Sequence, residues 1–446
     1  MSTRYAAKAA GAFCLSALLA FSGVSPALAD GVSLVRDAET ENMVREYALP
    51  IWRAAGLNPN SVRVYLVQDD TINAFVAAGQ RLFLNTGLIT QVDTPLELTG
   101  VIAHETGHMA GGHLVRGTEA MDKLSMPMIA SMILGVGAMA AGAGDAGMAV
   151  IAGGATVSQR SVLAYSRQQE GSADQAGATY LQKAGISGKG MLDLFAKFRD
   201  QEALSTTQQD PFIRSHPISE ERLASLEERV KASPFYPKTD SSEREHQLKM
   251  VQAKLNGFVD EPEVTFRRYP ESDQSDYARY ARAIALHKNG DNEKSLAELA
   301  SLLQKDARNP YLWELKGQVL FEGGKVPDSI EPYRKALSLK TDEPQLQLEL
   351  GQALLAAEKP AYDQEALGYL QDSVKRDPEN PTTFFQLAIA YGRLNNIGMA
   401  ELSTAEYYES IGEMRDARGH AAVAQKHLKQ GSPEWLRAQD LMQEEG

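Results

Sequence analysis

The sequence predicts a mainly α-helical protein in two parts, an α+β domain with a small edge sheet followed by an all-α solenoid. Three observations support this fold class. Residues 73–85 contain amphipathic strand segments, residues 94–108 carry the start signals and apolar spacing of a helix, and prolines recur at a near-constant interval from residue 310 onward.

The first 29 residues have the pattern of a secretory signal peptide. Arg4 and Lys8 precede an apolar run over residues 9–24, and residues 27–29 (Ala-Leu-Ala) form a small-x-small cleavage site. The apolar run is short for a membrane span. The single cysteine, Cys14, lies inside it, so we expect no disulfide in the mature chain. These features predict export to a bacterial periplasm.

Charge and apolar content limit the partners that the chain can have. The formal charge is −13, and loss of the two basic residues of the signal peptide would make it −15, which argues against nucleic acid and against docking on an anionic lipid surface. Residues 126–157 are rich in methionine and small residues, but Asp145 and several glycines break them into pieces too short to span a bilayer. We expect a mobile helical hairpin with peripheral membrane or client contact, or else a buried core hairpin.

The pattern His-Glu-x-x-His at residues 104–108 is the chief candidate for a catalytic metal site. Residues 94–97 (Thr-Pro-Leu-Glu) provide the cap, first-turn proline and capping-box acid of a helix that continues into this pattern. On a helix, His104 and His108 lie on one face and can reach one metal ion, while Glu105 points at the open coordination position. This arrangement suits hydrolysis.

The third metal ligand is expected to come from elsewhere, because catalytic zinc usually keeps three protein ligands and one position for water. Glu170 and Asp174 are four residues apart in a helical stretch, so Glu170 could ligate while Asp174 accepts the free ring N–H of a ligating histidine. The alternative is two solvated acids on a polar helix. His113 follows at the wrong spacing for a third histidine ligand and is expected to be exposed or hydrogen-bonded.

Four features together resemble one peptidase family. They are the His-Glu-x-x-His pattern, the pair Glu170 and Asp174, the segment Asn73-Ala74-Phe75, and His216-Pro217. This combination resembles the gluzincin-type peptidases related to the CaaX prenyl protease and the heat-shock membrane protease. The likeness covers nearly the whole chain, and it is greatest to periplasmic members that carry C-terminal tetratricopeptide repeats.

The resemblance implies a zinc endopeptidase with one Zn²⁺ per chain. It makes His104, His108 and Glu170 the metal ligands. Glu105 would be the general base that takes a proton from a zinc-bound water and returns it to the leaving amine. Asp174 would support a ligating histidine through its second ring nitrogen.

The resemblance also assigns residues around the metal. It places a histidine matching His216 close to the ion, and two roles stay open: donating to the oxyanion, or occupying the fourth coordination position and keeping the enzyme latent. The alternative is a surface-loop histidine with neither role. Arg222 could clamp a carboxylate or a carbonyl. Asn73-Ala74-Phe75 and residues 81–85 would form the strand that borders the cleft, where an extended substrate could pair by β-augmentation. Without the resemblance, the sequence of this segment predicts only an amphipathic strand that ends in a turn at residues 85–87.

A repeat begins near residue 276. Pro310 and Pro344 are 34 residues apart and Pro381 follows 37 later. Small residues keep the same steps, namely Ala283, Gly317, Gly351 and Ala388. This is the tetratricopeptide period, in which pairs of helices stack into a superhelix. We expect four to five repeats, a degenerate last unit around Ala422, and the three extra residues in a turn at 358–362.

The aromatic side chains of the repeats are expected to pack between helices. They are Trp313, Tyr333, Phe384 and Phe385. The predicted organisation is a signal peptide (1–29), a zinc metallopeptidase domain (30–235), a proline-rich linker (236–275) with one helix at 248–258, and a tetratricopeptide-like repeat domain (276–446).

The resemblance implies clients and a docking partner. The clients would be unfolded or misassembled outer-membrane β-barrel proteins, and the barrel assembly machinery would dock on the repeat domain. The alternative is a periplasmic chaperone or assembly adaptor that seldom cuts and keeps a latent metal site. Glu105 argues against a purely structural metal site, because such a site needs no general base.

Overall fold

The computed structural model describes residues 33–77, 80–113, 167–199, 212–213, 216–217 and 219–443. The predicted signal peptide with Cys14 and the predicted hairpin at 126–157 lie outside the described residues. Within those ranges, no helix combines the length and the apolar character that a membrane span requires.

A four-stranded sheet forms the β part of the first domain. Its strands are β1 (Leu34–Val35), β2 (Arg63–Val67), β3 (Ala74–Ala77) and β4 (Arg81–Asn85). They are ordered β1-β2-β4-β3, with β2 and β4 parallel and the other two pairs antiparallel. Leu66, Leu82 and Leu84 are buried in the main core, while β3 lies at the edge of the sheet as described. The predicted small edge sheet is therefore present.

The turn predicted at residues 85–87 is wrong. Helix Thr86–Gln91 begins directly after β4. The cause is the neighbouring loop, whose Asp69 carbonyl accepts hydrogen bonds from the Gly87 backbone N–H (2.8 Å) and from the Thr86 hydroxyl (2.9 Å). Gly87 lies so close to this loop that a Cβ would be 2.2 Å from the Asp70 carbonyl oxygen.

Helices pack against the sheet. In the described part of the first domain they are Ala38–Ala54, Thr86–Gln91, Pro95–Gly111, 167–183, Lys189–Arg199 and Glu220–Lys231. Pro95–Gly111, called here the HExxH helix, begins as predicted: Pro95 is its first residue and the Thr94 hydroxyl accepts from the Glu97 N–H at 3.2 Å. Residues 167–183 are called here the acid helix because they carry Glu170 and Asp174.

The segment predicted as a linker contains two helices, Ser242–Val259 and Pro262–Arg268. The first is longer than the predicted helix at 248–258. Leu248, Val251 and Leu255 lie in the core of the first domain, whereas Met250 lies in the core of the first repeats. Because one helix contributes to both cores, this segment is a structured connector between the domains.

The second domain consists of five helix pairs, in agreement with the predicted repeat. They are Asp276–Lys288 with Asn292–Lys305, Pro310–Glu322 with Val326–Leu339, Pro344–Ala356 with Pro360–Arg376, Pro381–Arg393 with Ile397–Ser410, and Met414–His427 with Pro433–Gln443. The periodic prolines are first residues of helices, where the missing N–H is not needed. A Cβ on Gly317 would lie 2.8 Å from the Tyr333 ring, so the small residue permits close packing of the pair.

Two expectations about the repeats need correction. The three extra residues do not lie in a turn at 358–362, because Pro360 starts a helix and lengthens Pro360–Arg376 to 17 residues, against 14 in Val326–Leu339. The packing expected for Phe385 is only partial: its ring lies 5.6 Å from that of Tyr407 on the next helix, but the side chain is 45% exposed. Its neighbour Phe384 points towards the core, and the two side chains cannot both do so because they are adjacent on a helix.

The two domains contact each other through buried charges. Lys254 of the connector lies 2.5 Å from Asp37, 3.4 Å from Glu39 and 3.7 Å from Glu314. Glu314 belongs to the second repeat, and Asp37 and Glu39 lie at the start of helix Ala38–Ala54. The hydroxyl of Tyr280, in the first repeat, donates to Glu39 at 2.7 Å. The repeat domain is thus joined to the first domain by ionisable side chains that are shielded from water.

Candidate metal centre

The HExxH helix carries two histidines to one point in the interior of the first domain. His104, Glu105 and His108 are all buried. The Nε2 atoms of His104 and His108 are 3.1 Å apart, as one-face spacing allows. The helix predicted from the start signals therefore places the two imidazoles next to each other.

The acid helix packs closely against the HExxH helix because glycines remove side chains from the contact. A Cβ on Gly107 would lie 2.6 Å from the Ala173 carbonyl oxygen, and one on Gly177 would lie 3.0 Å from backbone atoms of Ala103. Both contacts are closer than ordinary Cβ packing allows. This approach brings Glu170 and Asp174 to the histidines.

Glu170 completes a three-donor set. Its Oε2 lies 3.4 Å from His104 Nε2, and its Oε1 lies 3.4 Å from His108 Nε2. Donors at roughly 2.0–2.1 Å from a tetrahedral ion are separated by roughly 3.3–3.4 Å, so these spacings fit one ion between the three side chains. The alternative of solvated acids does not describe Glu170, which is buried.

His216 adds a fourth donor from a different segment. Its Nδ1 lies 3.0 Å from Glu170 Oε2 and 3.3 Å from His104 Nε2. Donor atoms of His104, His108, Glu170 and His216 all lie within 4.8 Å of one another. The His216 backbone N–H donates to the Phe212 carbonyl at 2.7 Å, and the two rings are 4.7 Å apart. This local contact directs the imidazole towards the other donors.

Asp174 and Arg222 lie behind the donors. Asp174 Oδ1 is 2.9 Å from His104 Nδ1, the ring nitrogen that faces away from the other donors. Arg222 donates from Nε and Nη2 to Asp174 at 2.8 and 3.0 Å, lies 3.3 Å from Glu170, and also donates to the Pro217 carbonyl. One guanidinium therefore connects the acid helix with the His216 segment.

Burial and charge shift the pKa values of the site in different directions. Burial raises the pKa of Glu105, whose two carboxyl oxygens have no hydrogen-bond partner within the described ranges. Burial lowers the pKa of His108 to about 4. Burial also acts to lower the pKa of His104, but hydrogen bonds to Asp174 and Glu170 outweigh it and raise this pKa to about 10. A metal ion would have to displace the proton from His104, because only the neutral ring ligates.

Strand β3 contacts the HExxH helix and lies at the edge of the described sheet. Asn73 precedes it, Ala74 is its first residue, and Phe75 stacks on Phe83 at 4.8 Å between ring centroids. The Oδ1 of Asn73 is buried and has no hydrogen-bond partner among the residues the structure describes. Among the described residues, the outer edge of β3 pairs with no further strand.

Some contributors to the site could not be foreseen from the sequence. Phe195 and Phe212 pack their rings against His104, at 5.8 and 6.1 Å. No sequence pattern marks either residue. His113, expected to be exposed or hydrogen-bonded, lies outside the four-donor cluster, and its Nδ1 is 3.0 Å from His108 Nδ1. The close approach of the acid helix to Gly107 had one weak sequence signal, because a glycine inside a helix often marks a close backbone contact.

Sequence comparisons find relatives that are named as proteases. The beta-barrel assembly-enhancing protease of Yersinia pestis is 26% identical over 388 residues, which cover 85% of this chain and 79% of the relative. The protein of that name in Escherichia coli (strain K12) is 27% identical, covering 84% of this chain and 77% of the relative. The metalloprotease LoiP of Escherichia coli is 30% identical over 181 residues, which cover 39% of this chain and 64% of that protein.

Family models match both domains. Residues 35–230 match peptidase family M48, and residues 280–344 match a tetratricopeptide repeat model. The first match contains all four clustered donors, and the second covers the helix pairs that begin the solenoid. The chain therefore carries a metallopeptidase domain of family M48, followed by tetratricopeptide repeats.

Proposed function

We propose that the chain is a periplasmic zinc-dependent endopeptidase that acts in quality control and assembly of outer-membrane β-barrel proteins. The hydrolytic part rests on the clustering of His104, His108 and Glu170 next to Glu105, whose buried carboxyl group has no hydrogen-bond partner among the described residues. Two imidazoles and one carboxylate are a donor set that catalytic zinc uses, with one position left for water or substrate.

Glu105 acts as the general base and then as the general acid. A bound Zn²⁺ would polarise the peptide carbonyl and lower the pKa of water at the site to roughly 7. Glu105 takes a proton from the attacking water and passes it to the leaving amine nitrogen. Since burial raises the pKa of Glu105, its carboxylate is a stronger base near neutral pH than an exposed glutamate. His104, His108 and Glu170 hold the ion.

The test is Glu105→Gln, with the exposed Glu228→Gln as a matched control. We expect Glu105→Gln to lower kcat on casein or an unfolded barrel protein by roughly 10²–10⁴-fold, because general-base assistance is lost. Zinc content and helical circular dichroism should stay unchanged. Cleavage at the wild-type rate by pure Glu105→Gln protein would contradict the assignment, and so would an equal loss in the control.

For His216, the geometry supports the latent role over oxyanion donation. Its Nδ1 lies where a fourth donor would lie, 3.3 Å from His104 Nε2, and its Nε2 lies 3.5 Å from Glu105 Oε1. A ring in this position excludes the attacking water from the base. We expect His216→Ala to raise kcat several-fold, measured by single-turnover peptide cleavage. Lost turnover with zinc retained would favour the oxyanion role instead.

Substrate is proposed to bind at β3 as an extended strand. Three features of the described residues support this: β3 is an edge strand, it contacts the HExxH helix, and Asn73 Oδ1 has no hydrogen-bond partner there. Backbone pairing places few demands on substrate side chains, so it suits clients that expose unpaired strands. Unfolded or misassembled β-barrel proteins have such strands.

The proposed clients and partners are inferred from the names of the relatives and from the repeat type. Tetratricopeptide repeats support peptide or protein binding, and two relatives are named for the enhancement of β-barrel assembly. We infer that the repeat domain docks on the barrel assembly machinery and that residues 126–157 provide any peripheral membrane contact. The signal-peptide pattern of residues 1–29 supports a periplasmic location.

An assembly adaptor that seldom cuts is the second candidate, and the position of His216 favours it, because a filled fourth site gives low basal turnover. Complementation separates the two functions. If Glu105→Gln restores outer-membrane assembly in a deletion strain as well as wild type does, the adaptor function is the physiological one. If it fails while its level and metal content are normal, proteolysis is required.

A further inference from the structure

The two histidines of the HExxH helix differ in the group behind them. The ring nitrogen of a ligating histidine that faces away from the metal normally donates a hydrogen bond, which fixes the tautomer and the ring orientation. For His104 the acceptor is Asp174, 2.9 Å from Nδ1. For His108, the atom at the corresponding place is Nδ1 of His113, at 3.0 Å. The two imidazole planes are almost perpendicular, at 84°.

The chain reaches this contact through a reversal at the end of the HExxH helix. Gly112 caps the helix with φ +60, a left-handed backbone conformation that residues with a side chain rarely adopt. Its backbone N–H donates to the His108 and Met109 carbonyls. The turn folds His113 back over the last helical turn. A Cβ on Gly111 would lie 2.6 Å from His113 Nε2, so a side chain there would displace the ring.

The backbone of His113 is also held from the acid helix. The side-chain amide of Gln169 donates to the His113 carbonyl at 3.1 Å. Gln169 is the neighbour of Glu170, the carboxylate of the donor set. His113 therefore has a fixed place relative to both helices that supply donors.

We propose that His113 is a positioning residue of the metal centre: its Nδ1 accepts a hydrogen bond from Nδ1–H of His108 and keeps His108 Nε2 directed at the ion. This inference rests on the proposed metal site and extends it. For His108 to donate, His113 Nδ1 must carry the lone pair, so His113 is neutral with its proton on Nε2. The two ligands are then supported unequally, His104 by a carboxylate and His108 by a neutral ring.

The test compares two replacements of His113. Asparagine can place its side-chain oxygen near the position of imidazole Nδ1 and keeps an acceptor, whereas leucine fills similar space without one. Zn²⁺ affinity is measured by chelator competition in the Glu105→Gln background, so that peptidase activity does not enter the result. We expect His113→Leu to weaken affinity by roughly 10–100-fold and His113→Asn to stay within a few-fold of the parent.

A second variant moves the ring without changing its chemistry. Gly111→Ala should reduce Zn²⁺ affinity in the same direction as His113→Leu, because its methyl group displaces the His113 ring. Gly368→Ala, on a helix with open space at that position, and His246→Leu, at an exposed site, are the controls. In wild-type protein loaded with Zn²⁺, ¹⁵N spectra should show His108 protonated at Nδ1.

The outcomes separate this inference from the proposed function. Failure of the parent protein to bind Zn²⁺ would overturn both. Normal Zn²⁺ affinity in His113→Leu would overturn the positioning role alone, as would an equal loss in His113→Asn and His113→Leu. Wild-type affinity in Gly111→Ala would show that the ring position does not matter, which also contradicts the proposal.

Discussion

At the residue scale, the candidate centre depends on hydrogen bonds to the ring nitrogens of His104 and His108 that face away from the other donors. Asp174 is buried between His104 Nδ1 and the Arg222 guanidinium, and each of its oxygens accepts a hydrogen bond. Its pKa stays below the ordinary range, because these contacts outweigh the effect of burial. The carboxylate is therefore ionised at every pH at which the enzyme would work.

Asp174→Asn should weaken Zn²⁺ binding. An amide cannot accept on both sides as the carboxylate does, so either His104 or Arg222 loses a partner. We expect a roughly 10–100-fold loss of Zn²⁺ affinity, measured by chelator competition, with a smaller effect on helical content. Asp193→Asn, at an exposed position on helix Lys189–Arg199, is the control. Unchanged affinity in Asp174→Asn would remove Asp174 from the site.

At the element scale, the site depends on the distance between the HExxH helix and the acid helix. That distance is set by the missing side chain at Gly107, since a Cβ would lie 2.6 Å from the Ala173 carbonyl oxygen. The contact is with backbone, which cannot move without moving the acid helix. Glu170 and Asp174 would move with it.

Gly107→Ala should therefore separate the donors. Overpacking of a buried contact typically costs about 1–3 kcal/mol, which exceeds the helix-propensity gain of about 1 kcal/mol from alanine. We expect a lower midpoint in urea unfolding and weaker Zn²⁺ binding. Gly368→Ala, which has open space around it on its helix, should be neutral or stabilising. If Gly107→Ala kept wild-type stability and Zn²⁺ affinity, the helices would not be constrained by this contact.

At the scale of the whole molecule, buried charges connect the repeats to the first domain. Lys254 faces three carboxylates, those of Asp37, Glu39 and Glu314. Because negative charge exceeds positive charge in a buried place, one acid is expected to hold its proton more tightly in the folded protein. Burial raises the pKa of Glu314 to about 7.

This raised pKa predicts a dependence of stability on pH. The folded-state pKa of Glu314 lies above its ordinary value of 4.5, so stability from this group is present below about 4.5 and is lost as pH rises through about 7. Glu314→Gln, which stays neutral, should raise the free energy of unfolding at pH 8 by up to about 3 kcal/mol and change it little at pH 5.

The measurement is urea unfolding at both pH values. Glu331→Gln, at an exposed position of the neighbouring helix, should show no such dependence. An equal effect of Glu314→Gln at pH 5 and pH 8 would mean that Glu314 is ionised throughout this range. A loss of stability at pH 8 would mean that its charge is needed by Lys254.

Interactions between residues close in the sequence explain which structural features could be predicted. Capping at Thr94 and proline at Pro95 start a helix whatever its surroundings, and one-face spacing then brings His104 and His108 together. The proline interval predicted the repeat in the same way, because each helix start is decided by neighbouring residues. Where local rules competed with tertiary contacts, as at residues 85–87, the prediction was wrong.

The amino-acid sequence alone determined the helix that presents His104 and His108, the repeat architecture and the class of chemistry, since all three depend on neighbours along the chain. Only the tertiary structure decided which distant side chains meet them: Glu170 and His216 at the donors, and His113 behind His108. Such meetings depend on backbone approach, as at Gly107, and on the burial of charge, and neither quantity is defined until the chain has packed.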